Sequence, residues 1–170
     1  MDNNSILTNE GALQLSQAIE VMKASIKEIT DISENLIPEK LIKLGLKEYL
    51  TELCKEIETE YKVTLNITFK GDDFNLDDSA KIKTYRIFTA LLNYILIHAR
   101  PSEINLFLSY TNNVLDLQET DNGNDFNLAV LTYPGVTKVK SIKTLTDSMN
   151  GDFTISRNNN KNEAIILLPI

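Results

Sequence analysis

The chain of 170 residues has one cysteine, Cys54, and one histidine, His98. A single cysteine excludes an intramolecular disulfide. Its position between Leu50 and Ile57, in a helix-patterned segment, reads as a small buried hydrophobe. There is no long Lys/Arg run, and the net charge is −7. Binding along a phosphate backbone needs a basic footprint, so nucleic acid is not expected as a partner. The start, MDNNSILTNE, is polar and acidic, unlike a secretory signal. The longest apolar stretch, from Phe88 to Ala99, is too short to cross a bilayer and is interrupted by Asn93 and His98. We therefore expect a cytoplasmic chain with no membrane insertion. Internal repeats and low-complexity blocks are absent as well.

What is present suffices for a core: 42% of residues are hydrophobic and 24% charged. The length fits one domain plus an extra element. Residues 1–10 read as a flexible start. Residues 11–37 read as a helical dimerization element. Ala12, Leu15, Ile19, Met22, Ile26, Ile29, Ser33 and Leu36 alternate by three and four, a sustained heptad seam. A lone helix cannot bury such a face. The expected interface residues are Leu15, Ile19, Met22, Ile26 and Ile29, and the expected assembly is a homodimer.

Residues 38–170 carry the remaining elements. Pro38 suits the first turn of a helix. Leu41, Leu44, Leu46, Tyr49, Leu50, Leu53, Cys54 and Ile57 give that helix its core face, with Gly45 as a weakening interior glycine. Residues 63–69 alternate as a strand, and Gly71-Asp72-Asp73 is turn chemistry. A helix from Lys81 to Arg100 follows, preceded by acids at its positive end. Its apolar face comprises Tyr85, Phe88, Leu92, Ile95 and Ala99. Strands over 103–110 and 114–120 flank Asn112-Asn113, a tight-hairpin signal. Beyond an irregular stretch, a helix over 137–149 ends at Asn150-Gly151. Strands over 152–157 and 162–168 close the chain. The expected fold is α+β, a two-layer sandwich with helices on one face of a mainly antiparallel sheet of about five strands.

The order of these elements and several short motifs resemble the GHKL-type ATPase domain of sensor histidine kinases, the Bergerat-type fold of two-component signalling. Residues 32–38 followed by Leu44-Gly45-Leu46 resemble the junction between a kinase dimerization hairpin and its ATPase domain. Tyr85-Arg86-Ile87, Leu91-Leu92-Asn93 and His98-Ala99 resemble the asparagine box. Asp121-Asn122-Gly123-Asn124-Asp125-Phe126 resembles the first glycine box, and Asn150-Gly151-Asp152-Phe153 the strand entry after the lid helix. The resemblance covers nearly everything after the start.

The resemblance also defines what has changed. The family's magnesium-binding asparagine corresponds to Tyr94, its acid four residues earlier to Ala90, and the polar residue three later to Ile97. These three share a face at i, i+4, i+7, so the surface expected to meet phosphates is apolar. Asn93 is about 100° away around the helix. Asp121 is retained, and the resemblance assigns it to the adenine amino group, with Gly123 giving room for the base. Asp125 replaces the box's second glycine. Val136-Thr137-Lys138-Val139 replaces the lid glycine box, with Gly135 one residue out of register. Asn160-Lys161-Asn162-Glu163 replaces the last glycine box. Asp121, Gly123 and Asn93 thus form a vestigial nucleotide site, with no catalytic residue and no metal ligand.

The leading reading is a non-catalytic histidine-kinase-like domain that acts by protein binding, with a response regulator or kinase as partner and no cofactor. One alternative is an ATP-binding catalytic fragment of a sensor histidine kinase, with ATP and magnesium. Another is a histidine phosphotransfer protein with a decayed ATPase domain, for which His98 is poorly placed. A structural α/β dimer of kinase ancestry is the plainest reading. Whether Met1 is a native start bears on all of them.

Overall fold

The computed structural model describes residues 11, 14–16, 18, 19, 21, 22, 39–71, 74, 76–124 and 137–170. The chain divides into two units, Met1–Ile37 and Pro38–Ile170. In the first, every described residue is helical, and Leu15, Ile19 and Met22 are exposed. Ile26, Ile29 and the rest of the expected seam lie outside the described residues.

The second unit runs α1 (Glu39–Leu44), α2 (Leu46–Tyr61), β1 (Thr64–Gly71), α3 (Asp78–His98), β2 (Glu103–Thr111), β3 (Val114–Asp121), α4 (Thr137–Asp147), β4 (Asp152–Asn158) and β5 (Lys161–Pro169). The five strands form one sheet in the order β1-β2-β3-β5-β4. Only β1 and β2 pair in parallel; the other pairings are antiparallel. Thus the sheet, the helices and their order agree with the expected mixed α/β layer.

Local chemistry explains the boundaries. Asp77 caps α3 by accepting the Ala80 amide at 2.7 Å, so this helix begins before the expected Lys81. Asn112-Asn113 and Asn159-Asn160 are left-handed pairs (φ 54, 61 and φ 51, 61). Two consecutive positive-φ residues make the turn whose twist matches a hairpin, and asparagine tolerates that conformation best among non-glycine residues. They close β2–β3 and β4–β5 with two-residue loops. α4 ends at Asp147, two residues before the expected Met149, and the turn that follows carries Asn150 (φ 54) and returns the Gly151 amide to the Thr146 carbonyl at 3.0 Å.

Pro38 itself lies outside the described residues, and the segment from Glu39 departs from expectation. It is not one helix with an interior glycine. Gly45 adopts φ 90, ψ 166 and separates α1 from α2. An extended positive-φ geometry is open to glycine and strained for other residues. The break rotates the helical register, so Leu44, assigned to the core face, is 42% exposed while Leu41 and Leu46 are buried.

The core lies between the helices and the inner face of the sheet. Ile104, Leu106 and Leu108 of β2, Leu115 and Leu117 of β3, and Ala164, Ile166 and Leu168 of β5 alternate inward. Against them α3 buries Ile87, Phe88, Leu91, Leu92, Tyr94 and Ile95. That arc is wider than the stripe expected, because α3 also packs against α1, α2 and α4. Tyr85, assigned to the stripe, sits at its margin and meets Tyr49 edge-on at 5.5 Å between ring centroids.

Candidate functional site

The retained motif is built at the C-terminal ends of α3 and β3. α3 stops at Ala99, and Arg100 turns left-handed (φ 49). The Asn122 carboxamide oxygen accepts the Ser102 and Glu103 amides, both at 3.0 Å, and its nitrogen donates to Ser102 Oγ at 2.9 Å. The Asn124 amide donates to the Ala99 carbonyl at 2.8 Å. Gly123 lies in the angle: a Cβ there would come within 2.5 Å of the Ala99 carbonyl oxygen and 2.8 Å of Asp121 Oδ1. The Asp-Asn-Gly turn thus joins the end of the central helix to the start of β2, and its glycine is required by close packing.

Asp121 faces inward and is 1% exposed. Its Oδ1 accepts the Gly123 amide at 2.6 Å. The Asn162 side-chain nitrogen, directly opposite in the β3–β5 ladder, donates to Asp121 Oδ1 at 3.0 Å and Oδ2 at 3.2 Å. The same nitrogen donates to the Asn124 carbonyl at 2.8 Å. Asn162 Oδ1 accepts from Arg157 Nη1 at 2.6 Å, and that guanidinium also donates to the Gly123 carbonyl at 3.2 Å. Three strand ends and the turn are therefore closed by one polar network. Burial raises the Asp121 carboxyl, opposed by the Gly123, Asn162 and Glu119 hydrogen bonds and by the Arg157 charge.

Glu119, two residues before Asp121 on the same inward face, was not identified from sequence. Its signal was the alternation itself, because Leu115, Leu117, Glu119 and Asp121 share one face at period two. It is fully buried between Leu106 of β2 and Ala164 of β5. With both acids ionised, neither Glu119 oxygen has a donor. Burial, then the Asp121 charge, push Glu119 up to about 9. A carboxyl raised in this way favours its protonated form over a second buried charge beside Asp121.

The three α3 positions expected to form one apolar phosphate face do not share an environment. Tyr94 is 2% exposed, Ala90 is half-buried and Ile97 is 50% exposed. The reason is rotational. Tyr94 lies seven residues after Ile87 and three after Leu91, both buried, and so belongs to the margin of the core. Its ring packs on His98 at 4.7 Å between centroids, and burial raises its phenol. Asn93 points to the exposed side of α3. The structure therefore brings Asp121 and Gly123 together and leaves Asn93 apart. Among the described residues no cluster of three or more His, Cys, Asp or Glu side chains is placed to hold a metal. Asp125, Gly135 and Val136 lie outside the described residues, as do the side chains of Thr137 to Val139.

No protein-family model matches the chain. A curated relative, the sensor histidine kinase MctS of Rhizobium johnstonii, is 28% identical over 119 residues, 70% of this chain and 26% of that protein. The chain thus spans about a quarter of the length of that relative. Among solved structures, the blue-light activated histidine kinase of Erythrobacter litoralis EL346 superposes with a TM-score of 0.62 at 17% identity, covering 75% of this chain and 43% of that one. The histidine kinase AdeS of Acinetobacter baumannii gives 0.61 at 10% identity, over 99% of this chain and 88% of that one. The catalytic domain of histidine kinase ThkA gives 0.58 at 14% identity, over 73% and 89%. The fold is that of histidine-kinase ATPase domains.

Proposed function

We propose that this histidine-kinase-like domain has lost its nucleotide chemistry and works in two-component signalling by binding another protein, a response regulator or a kinase. One observation carries the reading: the residue at the magnesium-ligand position is Tyr94, which is buried and packed on His98. Magnesium requires hard oxygen ligands at short range, held toward the phosphates it bridges. A buried phenol, with an exposed aliphatic side chain at Ile97 and a methyl at Ala90, supplies none. Asn93, the adjacent amide, is exposed and lies about 100° around the helix from Tyr94.

Asp121 and Gly123 are the vestige of a base site. In the structure their chemistry is turned inward, to the turn and to Asn162. Homodimerization through Leu15, Ile19, Met22, Ile26 and Ile29 belongs to the same reading, since a seam of this kind is buried only against a partner.

Calorimetry with magnesium–ATP on the purified chain tests the proposal. The expected result is no saturable heat in the micromolar range. A micromolar, magnesium-dependent dissociation constant would establish the catalytic-fragment alternative instead.

A further inference from the structure

We infer that the solvent face of α3 is a docking surface for an acidic, amphipathic helix of a partner protein. The inference rests on the reading that this domain works by binding another protein, and it gives the contact chemistry of that partner.

The sequence segregates its charge here. From Ser79 to Ser102 it contains Lys81, Lys83, Arg86 and Arg100 and no Asp or Glu, in a chain whose net charge is −7. The ion pairs among the described residues are Lys40–Glu52, Lys43–Glu39, Lys81–Asp78 and Lys143–Asp147, which leaves Lys83, Arg86 and Arg100 without one. Cations gathered on an acid-free face make a local positive potential on an otherwise acidic chain.

Helical geometry lines these groups up. Arg86, Ala90, Asn93 and Ile97 follow at i, i+4, i+7 and i+11, a stripe about 17 Å long opposite the buried face of α3. Arg86 and Ala90 are half-buried, Asn93 is exposed and Ile97 is 50% exposed. Lys83 flanks the stripe one turn before Arg86, and exposed Arg100 lies one turn after Ile97.

The make-up of the stripe selects the partner. An exposed aliphatic side chain is ordinary by itself. Ile97 is set apart by its place between an exposed amide and an unpaired cation, on a side of α3 that α1, α2 and α4 leave open while packing against the helix. A partner that covers Ile97 must also bring acceptors to the groups around it. Ala90, with only a methyl, lets a second helix approach the middle of the stripe closely. Asp and Glu beside an apolar seam supply that pattern, and Lys or Arg there would be repelled. Such complementarity governs encounter and choice of partner more than raw affinity, so the contact is expected to be transient.

The test uses two synthetic helical peptides with the same leucine seam, flanked by glutamate in one and by lysine in the other. Each is titrated into the isotope-labelled full chain and followed by amide NMR shifts. We expect the glutamate peptide to bind, with shifts concentrated between Lys83 and Arg100 and an affinity that falls as salt rises. The lysine peptide should not bind. Arg86→Glu combined with Arg100→Glu should weaken the glutamate peptide at least about tenfold. Arg86→Lys combined with Arg100→Lys should retain most of the affinity, and Ile97→Ser should cost about fivefold or more. If the charge-reversed chain fails to fold, the salt dependence and the position of the shifts in the wild type decide alone.

Three results overturn the inference: no binding of the glutamate peptide at millimolar concentration, equal binding of the two peptides, or shifts elsewhere on the chain. Mixed-sequence double-stranded DNA is titrated in parallel. If it shifts the same residues, and Ile97→Ser leaves both ligands unaffected, the face is a general anion surface and the inference fails as well. Magnesium–ATP binding by the wild type would instead overturn the reading of lost nucleotide chemistry. A glutamate peptide bound elsewhere leaves that reading standing and removes only this face.

Discussion

Asn162 bridges both carboxylate oxygens of Asp121 across the β3–β5 ladder, at 3.0 and 3.2 Å, while its own carbonyl oxygen is held by Arg157. The two residues are direct register partners, so the contact follows from strand pairing and requires no special loop. It turns an acid at the end of a strand into a clamp on the sheet. Asn162→Ala removes two of the three hydrogen bonds described for Asp121 and leaves Arg157 with only the Gly123 carbonyl. We expect a loss of about 1–3 kcal/mol in urea unfolding. The Asp121→Ala/Asn162→Ala double-mutant cycle should show a coupling of about 0.5–3 kcal/mol. Additive single effects would mean that the bridge contributes nothing.

The Glu119–Asp121 pair makes stability depend on pH in an unusual direction. Glu119 is raised from an ordinary 4.5 to about 9 in the fold. The folded state therefore keeps a proton that the unfolded chain releases. Its contribution is present in full below 4.5 and is lost as pH rises toward about 9. Asp121 is also raised, which adds to the same trend just above its ordinary range. The slope approaches about 1.4 kcal/mol per pH unit at most. The urea midpoint should be higher at mildly acidic than at mildly alkaline pH, and Glu119→Gln should flatten the difference. A slope unchanged in that variant would locate it elsewhere.

Much of the fold was legible because its signals are local and periodic. The hairpin asparagines at 112–113 and 159–160, the helix stop at Asn150-Gly151 and the alternation in β2, β3 and β5 each report a backbone state through two or three adjacent residues. The site was less legible. Sequence pointed to Asp121 and Gly123 through the Asp-Asn-Gly motif and the family resemblance. The environment of Tyr94 was not visible, because a residue at the edge of a helical stripe is assigned by what packs beside it. Glu119 was passed over since acids are rarely placed in a core, although its period-two position between Leu117 and Asp121 was plain. Asn162 acquires a role only through its partner 41 residues earlier.

Gly45 provides a direct check of the break between α1 and α2. Its φ of 90 with ψ 166 lies where a side chain is strained, although a Cβ would find space, with Glu48 Oε2 at 3.4 Å as nearest neighbour. In a continuous helix, alanine would stabilise by about 1 kcal/mol. With the break, Gly45→Ala should destabilise by about 1–3 kcal/mol. The sign of the change in thermal midpoint decides between them.

The seam of the first unit is tested by oligomeric state. Leu15, Ile19 and Met22 are exposed apolar residues at heptad spacing. Light scattering should give a dimer for the wild type and a monomer or an insoluble chain for Ile19→Glu combined with Ile26→Glu. A monomeric wild type, or an unchanged dimer in the variant, would exclude the seam as the interface.

Tyr94→Asn restores the side chain that the family resemblance places at the metal position, and it separates a single lost ligand from a rebuilt site. Tyr94 is 2% exposed at the margin of the core and in tilted ring contact with His98. Replacing it with a smaller polar residue removes packing and leaves an amide against Ile87 and Leu91. A cost of about 2–4 kcal/mol is expected, by analogy with large-to-small core changes. Affinity for magnesium–ATP should not appear. Ala90 still provides no acid, Ile97 still presents an aliphatic chain, and Asp121 remains bonded to Gly123 and Asn162. Each missing charge-assisted contact is worth roughly 1.5–3 kcal/mol, so two of them weaken binding by about a hundredfold or more. Calorimetry on the variant, at a temperature where it remains folded, should therefore match the wild type. If this one substitution conferred micromolar, magnesium-dependent binding, the remaining phosphate contacts would have to be intact, and the ATP-binding kinase fragment would become the correct reading.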